Sequence, residues 1–254
     1  MVMITLITDF GGSEYVGAMK GMIYSLCPDV KVVDISHNIK KFDIRHAAYV
    51  LHSVCGYFPH GTIHCVVVDP GVGTERRSVI IKTNDYFFIG PDNGVFSLVE
   101  GIEEIYEITA ESKSKTFHGR DLFAPIAAKI ACGAEPQEFG NSIEDIEKIE
   151  LKEVEITGDK IIGEVLCTDY FGNAITNIKS EDFDRLGIAF KSNIVLEIDK
   201  KRFEPRFLES YGFAEEGELC CLVGSGGYLE VAINQGDASQ TLGVYGGERV
   251  VIRK

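Results

Sequence analysis

The chain has 254 residues, 45% of them hydrophobic, which is enough apolar material for one large or two modest folded domains. Lys and Arg total 25 against 39 Asp and Glu, and the net charge of −14 argues against binding to nucleic acid or to an anionic membrane surface. The first residues form a strand-like run without the features of a secretory signal, and no stretch is apolar enough to span a membrane. We therefore expect a soluble, cytoplasmic protein.

Seven cysteines are scattered along the chain without a Cys-x-x-Cys pair, and most of them lie within apolar runs. This pattern predicts buried free thiols in a reducing compartment. No histidine falls at metal-ligand spacing from a cysteine, so we expect no metal site.

The first half of the chain alternates β-rich runs with helical patterns, which is typical of a parallel sheet with right-handed crossovers. The predicted elements, in chain order, are a strand over Met3–Thr8, a helix closed by Pro28, a strand over Lys31–Ile35, a helix capped by Asp43, a strand over Thr62–Val68, strands over Ser78–Ile81 and Tyr86–Ile89, a short helix after Gly94, and a helix over Asp121–Cys132. We therefore expect an α/β fold for this half, with a mostly parallel sheet.

The second half has a different character. The acidic stretch Glu135–Glu155 is interpreted as a connector, with a domain boundary near Glu150 that gives domains over residues 1–150 and 151–254. Short β-rich runs separated by Gly-rich turns then predict a small antiparallel sheet or barrel, at Ile161–Cys167, Ile194–Ile198, Leu219–Val223, Tyr228–Ile233 and Arg249–Ile252.

Polar clusters follow the three clearest predicted strands, at Thr8–Gly12, Ser36–Asn38 and Asp69–Gly73. Ligands of open parallel sheets bind at the carboxyl edge of the strands, so these clusters predict a small-molecule site. The phosphate-binding loop, the dinucleotide fingerprint G-x-G-x-x-G and the nucleophile elbow G-x-S-x-G are all absent from the sequence. Nucleoside triphosphatases of that type, nicotinamide or flavin enzymes and α/β-hydrolases are therefore disfavoured.

Asp9 precedes two glycines that allow close approach of the backbone to a ligand, and its carboxylate could accept hydrogen bonds from both hydroxyls of a ribose. A turn or a helix N-cap explains an aspartate in this place equally well.

Asp69 and Arg76 lie seven residues apart across a Gly-rich loop, close enough to pair, and His118 precedes a predicted helix. Asp, Arg and His side chains can together orient and polarise a water molecule. A simple loop ion pair and a helix-capping histidine are the structural alternatives, and Arg77 could take the place of Arg76.

In the second half, Asp169, Phe171 and Asn173 bring a carboxylate, an aromatic face and an amide into one tight turn, a combination that suits an adenine ring and a ligand amine. Ser225 and Gln235 lie in two further turns that present polar groups, although such residues are also ordinary in hairpins.

Taken together, these motifs resemble the S-adenosyl-L-methionine hydroxide adenosyltransferases, relatives of fluorinase and chlorinase. The matching segments occur in the family's order from Asp9 to about Gln235, and they are Ile7–Gly11, Val68–Arg76, Gly90–Gly94, Phe117–Asp121 and Phe171–Asn173.

The resemblance implies a Rossmann-like N-terminal domain, a C-terminal β-barrel domain and a homotrimer with its sites at the subunit interfaces. The implied reaction converts S-adenosyl-L-methionine and water into adenosine and L-methionine, without a cofactor. By motif, the water-activating residues are Asp69, Arg76 and His118; the ribose contact is Asp9; the adenine contacts are Phe171 and Asn173; and the methionine contacts are Asp169 and Ser225, with Gln235 also placed in the substrate site. The turn at Asp169 is one residue shorter than in the fluorinase, which weakens the methionine assignments.

Two rival functions remain open at this point. A halogenase would use the same fold to form a 5′-halo-adenosine, but a halide would meet the negative charge of Asp69, whereas water can donate a hydrogen bond to it. A non-catalytic module that only binds S-adenosyl-L-methionine or adenosine would not require Asp69, Arg76 and His118 together. We therefore expect hydrolysis.

Overall fold

The computed structural model describes residues 2–254 and shows a mixed α/β fold with two sheets. The chain forms two compact units, one ending at Ile149 and the other running from Glu150 to Lys254. The first unit contains β1 Met3–Thr8, α1 Glu14–Leu26, β2 Lys31–Ser36, α2 Ile44–Cys55, β3 Thr62–Val67, β4 Ser78–Thr83, β5 Tyr86–Pro91, β6 Ile102–Ile108, a π-helical turn Gly119–Phe123, α3 Ala124–Ala131, a 3₁₀ turn Pro136–Glu138 and β7 Gly140–Ser142.

The sheet of the first unit has the order β2-β1-β3-β5-β4-β6-β7 within the described residues. In this part of the chain, β1 pairs in parallel with β2 and β3, and β3 with β5, whereas the pairs β4–β5, β4–β6 and β6–β7 are antiparallel. The expected α/β fold is confirmed, but the sheet is only partly parallel, with three parallel and three antiparallel pairs among the described strands. The turn between Thr83 and Tyr86 is too short for a crossover and forces β4 and β5 into a hairpin.

Consecutive residues of the central strands point into two different cores, because side chains alternate across a sheet. Ile63, Cys65 and Val67 pack in the core that includes Met19 and Ile23 of α1. The intervening Val66, together with Val68, packs in the core that includes Leu51 of α2. Helices on both faces explain why β3 is buried at every position.

The second unit contains β8 Glu155–Thr157, β9 Lys160–Thr168, β10 Ala174–Lys179, α4 Ser180–Leu186, β11 Val195–Ile198, β12 Lys201–Phe203, β13 Arg206–Phe207, a 3₁₀ turn Tyr211–Phe213, β14 Leu219–Val223, β15 Tyr228–Ile233, α5 Ala238–Leu242 and β16 Arg249–Arg253. Its strands follow the order β12-β11-β16-β9-β10-β15-β14-β13, with β8 paired to β9, and the ladders other than the short β13–β14 pair are antiparallel. The expected antiparallel sheet is confirmed.

One local prediction for the first unit is wrong, and a second is confirmed with a difference in detail. The segment after Gly94 forms successive turns, closed by hydrogen bonds from Ser97 to Gly94 and from Val99 to Phe96, instead of a short helix. The helix expected over Asp121–Cys132 begins with a π-helical turn, in which the Ala124 N–H donates to the carbonyl of Gly119, five residues earlier.

The prediction of only free thiols is also wrong, because Cys27 and Cys132 form a disulfide. Cys27 follows the last residue of α1 and Cys132 follows the last residue of α3, and the packing of these helices brings the two Cα atoms to 6.1 Å. No helix within residues 2–254 is long and apolar enough to cross a membrane.

Candidate active site

The loops that follow β1 and β2 are bonded to each other. Thr8 Oγ1 lies 2.9 Å from His37 Nδ1, and the Gly11 N–H donates to the His37 carbonyl at 2.7 Å. Asp9 lies between these contacts, and its Oδ2 accepts the Phe42 N–H at 2.9 Å. Asp9 does not cap α1, whose N-cap position is Ser13. Its second carboxylate oxygen therefore remains available to a ligand.

A glycine brings the third loop against the segment that carries His118. Gly73 has a φ of +76°, and a Cβ on it would lie 2.3 Å from the Lys115 carbonyl oxygen. Gly119 similarly packs with its Cα close to Met19 and Val67. The approach at Gly73 requires a residue without a side chain, whereas a Cβ at Gly119 would be crowded, at 3.1 Å from Met19 Sδ. The two contacts place His118 beside the loop after β3.

Arg76 is the centre of the resulting cluster. Its Nε donates to Asp69 Oδ1 at 2.9 Å and its Nη2 donates to Asp69 Oδ2, so the ion pair is bidentate. Nη1 donates to the Arg77 carbonyl at 3.0 Å and to Ser78 Oγ at 2.6 Å, and Nη2 also lies 3.0 Å from His118 Nδ1. These contacts use all five N–H donors of the guanidinium.

Arg76 and the adjacent Arg77 have different partners in the structure. Arg77 pairs instead with Asp92 at 2.7 Å and with Asp145 at 3.1 Å, away from Asp69. The ion pair expected from the seven-residue spacing is thus formed by Arg76, and the side chains of Asp69 and Arg76 are only 5% and 10% exposed.

His118 is held in its neutral form. Burial, and then the positive charge of Arg76, lowers its pKa from the ordinary value of 6.5, while the charges of Asp69 and Asp121 act in the opposite direction. Because the Arg76 N–H needs an acceptor, Nδ1 carries the lone pair and the imidazole proton lies on Nε2. His118 makes no side-chain capping bond to the helical turn that follows it.

A cavity of about 490 Å³ opens between these loops. Asp9, Asp69 and His118 line it together with Val67, Val72 and a set of aromatic side chains, namely Phe10, Tyr15, Phe42 and Phe117. Phe42 was not identified from the sequence. It is 64% exposed, has a φ of +65° that is uncommon for a residue with a side chain, and donates its N–H to Asp9. A volume in this range suits a small organic ligand with a few polar groups.

In the second unit, the carboxylate of Asp169 stabilises the turn from Asp169 to Asn173. Asp169 Oδ1 accepts the N–H groups of Phe171 at 2.9 Å and Asn173 at 2.8 Å, and Oδ2 accepts from Asn173 Nδ2 at 2.8 Å. The Phe171 side chain is 73% exposed, so the turn presents an aromatic face. Asp169, Phe171 and Asn173 therefore lie together, as the sequence predicts.

Gln235 and Ser225 lie in the turns at the two ends of β15. Gln235 is exposed with a φ of +56°, and the chain that follows it folds over the Asp169 turn. There the Ser239 N–H donates to the Gly172 carbonyl at 2.8 Å. Ser225 is exposed in the β14–β15 turn, which is closed by the Gly227 N–H and the Gly224 carbonyl.

Two further residues of this cluster were not identified from the sequence. Glu230 is only 5% exposed and packs directly on the backbone of Gly224, beside the Ser225 turn. Its Oε2 accepts the hydroxyl of Tyr211, and that hydroxyl lies 3.3 Å from Asn173 Nδ2. Both residues are distant from Asn173 in sequence. A glutamate within an apolar strand gives no local signal that it is connected to Asn173 through hydrogen bonds.

Comparison with known proteins supports one family for both units. Residues 4–140 match the model of the SAM hydroxide adenosyltransferase N-terminal domain, and residues 163–251 match that of the SAM hydroxide adenosyltransferase C-terminal domain.

Individual relatives agree with these matches. A protein of Methanocaldococcus jannaschii named (R)-S-adenosyl-L-methionine hydrolase is 39% identical, over 95% of this chain and 92% of its own. A protein of Nocardia brasiliensis named fluorinase is 28% identical, over 91% of this chain and 90% of its own. A crystal structure of a Thermotoga maritima protein superposes with a TM-score of 0.91 at 37% identity, covering all of both chains. Since both units match in order and the relatives extend over nearly the whole length, the chain belongs to the SAM hydroxide adenosyltransferase family.

Proposed function

We propose that this protein hydrolyses S-adenosyl-L-methionine to adenosine and L-methionine, with the (R) epimer at the sulfonium sulfur as its substrate. The observation that carries the proposal is the buried cluster of Asp69, Arg76 and His118 at a cavity of small-molecule size, with Asp9 on the same cavity. The name of the Methanocaldococcus jannaschii relative supports both the reaction and the (R) configuration.

The chemistry requires a positioned water more than a strong acid. Water attacks the ribose C5′ atom in line with the C5′–S bond; the electron pair of that bond stays on sulfur, which leaves as the neutral thioether of methionine and needs no proton. Asp69 accepts a hydrogen bond from the water and takes its proton as the new C–O bond forms. The proton then passes to solvent.

Arg76 and His118 hold the carboxylate in position for this step. The bidentate contact from Arg76 fixes the plane of the Asp69 carboxylate, and the neutral His118 accepts the remaining Arg76 N–H. With its proton on Nε2, His118 has a donor for the attacking oxygen or for a neighbouring water. Fixed groups of this kind lower the entropic cost of bringing water to the carbon atom.

The remaining predicted residues supply binding. We assign Asp9 to the ribose hydroxyls, because one of its oxygens is free of the Phe42 contact. Phe171 and Asn173 contact the adenine, Asp169 and Ser225 the methionine amine and carboxylate, and Gln235 the rim of the site. The exposed face of Phe171 and the shared turn of Asp169 and Asn173 support these roles.

Several finer features belong to the same proposal. We describe the first unit as a Rossmann-like domain, since helices cover both faces of its sheet, and the second as a β-barrel domain built on its long antiparallel sheet. We further propose a cytoplasmic homotrimer that needs no cofactor. Sedimentation or light scattering tests the assembly, and should give a mass three times that of the chain.

The reaction is tested by incubating the purified protein with each epimer of S-adenosyl-L-methionine in oxygen-18 water, with and without chloride, and identifying the products by mass spectrometry. Hydrolysis at C5′ gives adenosine labelled at the 5′ oxygen, together with unlabelled methionine, and chloride leaves the product unchanged. The Asp69→Ala variant should lose this activity.

Asp145→Asn is the matched control, because Asp145 also pairs with an arginine but its side chain is 79% exposed. Full activity in that variant separates the role of Asp69 from a general effect of removing a carboxylate. A 5′-chloro product would replace the proposal with a halogenase, and binding without turnover would replace it with a binding module.

A further inference from the structure

A chain of hydrogen bonds in the second unit ends at the amide of Asn173. Asn173 Nδ2 donates one hydrogen to Asp169 Oδ2 at 2.8 Å and lies 3.3 Å from the hydroxyl oxygen of Tyr211. The Tyr211 hydroxyl is itself bonded to Glu230. Four side chains, from the Asp169–Asn173 turn, Tyr211 and Glu230, thus form one continuous network.

The buried carboxylate gives this network a direction. An ionised Glu230 can only accept, so the Tyr211 hydroxyl donates to it and keeps a lone pair for Asn173. Burial, and then the hydrogen bond to Glu230, raises the pKa of Tyr211, which therefore retains its proton. Asn173 must turn its NH₂ group toward Tyr211, and the carboxylate of Asp169 requires the same orientation.

Both hydrogens of the Asn173 amide are consequently used within the protein, and only the oxygen Oδ1 is left for a ligand. Four side-chain atoms within residues 2–254 are fully buried and have no hydrogen-bond partner, and Oδ1 of Asn173 is not one of them. An oxygen acceptor matches the 6-amino group of adenine, whereas the 6-oxo group of hypoxanthine would place two acceptors against each other.

We propose that Glu230, acting through Tyr211, is a positioning residue that fixes the Asn173 amide and makes the site select a 6-amino purine over a 6-oxo purine. The inference rests on the proposed function for the placement of the base near Asn173. It goes further in assigning the choice of base to a buried carboxylate that does not contact the ligand. Turning the amide to accept a 6-oxo purine would leave the Glu230 carboxylate without its donor, which is costly in a buried position.

The test compares the affinities of adenosine and inosine by calorimetry. It is run at about pH 8, because burial raises the pKa of Glu230 and the network requires its ionised form. Nucleoside binding is used because it does not depend on turnover. We expect the wild type to bind adenosine roughly 100-fold more tightly than inosine, since the wrong base leaves buried polar groups mismatched. In Glu230→Gln, the new amide can donate to Tyr211, so that turning the Asn173 amide costs only its bond to Asp169. The ratio should therefore fall about tenfold without disappearing.

Tyr211→Phe gives a second, milder perturbation, since it removes only the hydroxyl and should lower the ratio to a similar extent. Glu218→Gln is the matched control: this glutamate pairs with Arg206 in the same unit, outside the network, and its loss should leave the ratio unchanged. Melting curves of all variants are measured to check that each one is folded.

Each outcome is decisive. A ratio that is equal in the wild type, Glu230→Gln and Tyr211→Phe overturns the inference, as does a wild type that does not distinguish the two nucleosides or binds neither. A ratio that falls in both variants, in a protein that fails to hydrolyse S-adenosyl-L-methionine, supports the inference and refutes the proposed reaction alone.

Discussion

Replacing Arg76 with lysine keeps the positive charge beside Asp69 but removes the planar guanidinium. Lysine has three N–H donors, so at least two of the five hydrogen bonds made by Arg76 are lost. Hydrogen bonds of charged groups contribute about 1.5–3 kcal/mol each, and two at the lower end sum to about 3 kcal/mol. If this loss falls on the transition state, kcat/KM drops by about 100-fold.

The assay measures adenosine formation from the (R) epimer for Arg76→Lys, the wild type and Arg77→Lys. The last variant is the matched control, because Arg77 is the adjacent residue with the same chemistry, but it pairs with Asp92 and Asp145. We expect Arg77→Lys to stay within a factor of about three of the wild type, because a lysine can still pair with the buried Asp92 and Arg77 does not line the cavity. Wild-type activity in a folded Arg76→Lys, or a larger loss in Arg77→Lys, would refute the reasoning.

Three further predictions concern other parts of the molecule. Because the pKa of His118 is lowered from 6.5, activity should be constant above that pH and fall only at more acid pH, where the imidazole gains a proton. A pH profile of kcat/KM checks this prediction. A loss of activity centred above pH 7 would contradict it. Denatured protein should show five free thiols without reductant and seven after reduction, and Cys27→Ser or Cys132→Ser should cost about 2–4 kcal/mol of unfolding free energy in chemical denaturation. In Gly172→Ala, the backbone has a φ of +82° and the added Cβ would lie 2.4 Å from a carboxyl group. Gly158→Ala is the comparison, because its φ is +61° but its surroundings are open, so it should cost only about 1–2 kcal/mol. Gly172→Ala should lower the melting temperature more, and equal losses would refute the predicted clash.

The features that the sequence predicts well are those with a local signal. The bounds of β1, β14 and β15 follow from short, largely apolar runs between turn residues. Asp43 caps α2 through its contact with the His46 N–H, as its position before the helical pattern indicates. The Asp69–Arg76 ion pair could also be predicted, because a spacing of seven residues across a glycine-rich loop limits the distance between the two side chains.

The features that the sequence does not predict depend on contacts between distant residues. Cys27 and Cys132 are 105 positions apart and meet only because α1 and α3 pack together. Strand β10 directly follows the Asn173 turn and was not among the predicted strands, although it pairs with both β9 and β15. Tyr211 reaches Asn173 across 38 positions, and nothing in the composition of either segment indicates the contact.

In the proposed reaction, the movement of charge gives Asp69 a proposed role in catalysis as well as in binding. The substrate carries its positive charge on sulfur, so the carboxylates of Asp9 and Asp69 on the cavity favour the ground state through simple attraction. As the C–S bond breaks, sulfur becomes neutral and the attacking water oxygen becomes positive. A carboxylate close to the water therefore gains attraction in the transition state, whereas one close only to sulfur loses it. The carboxylate held by Arg76 must then lie on the water side of C5′, where a halide would be repelled before it could react.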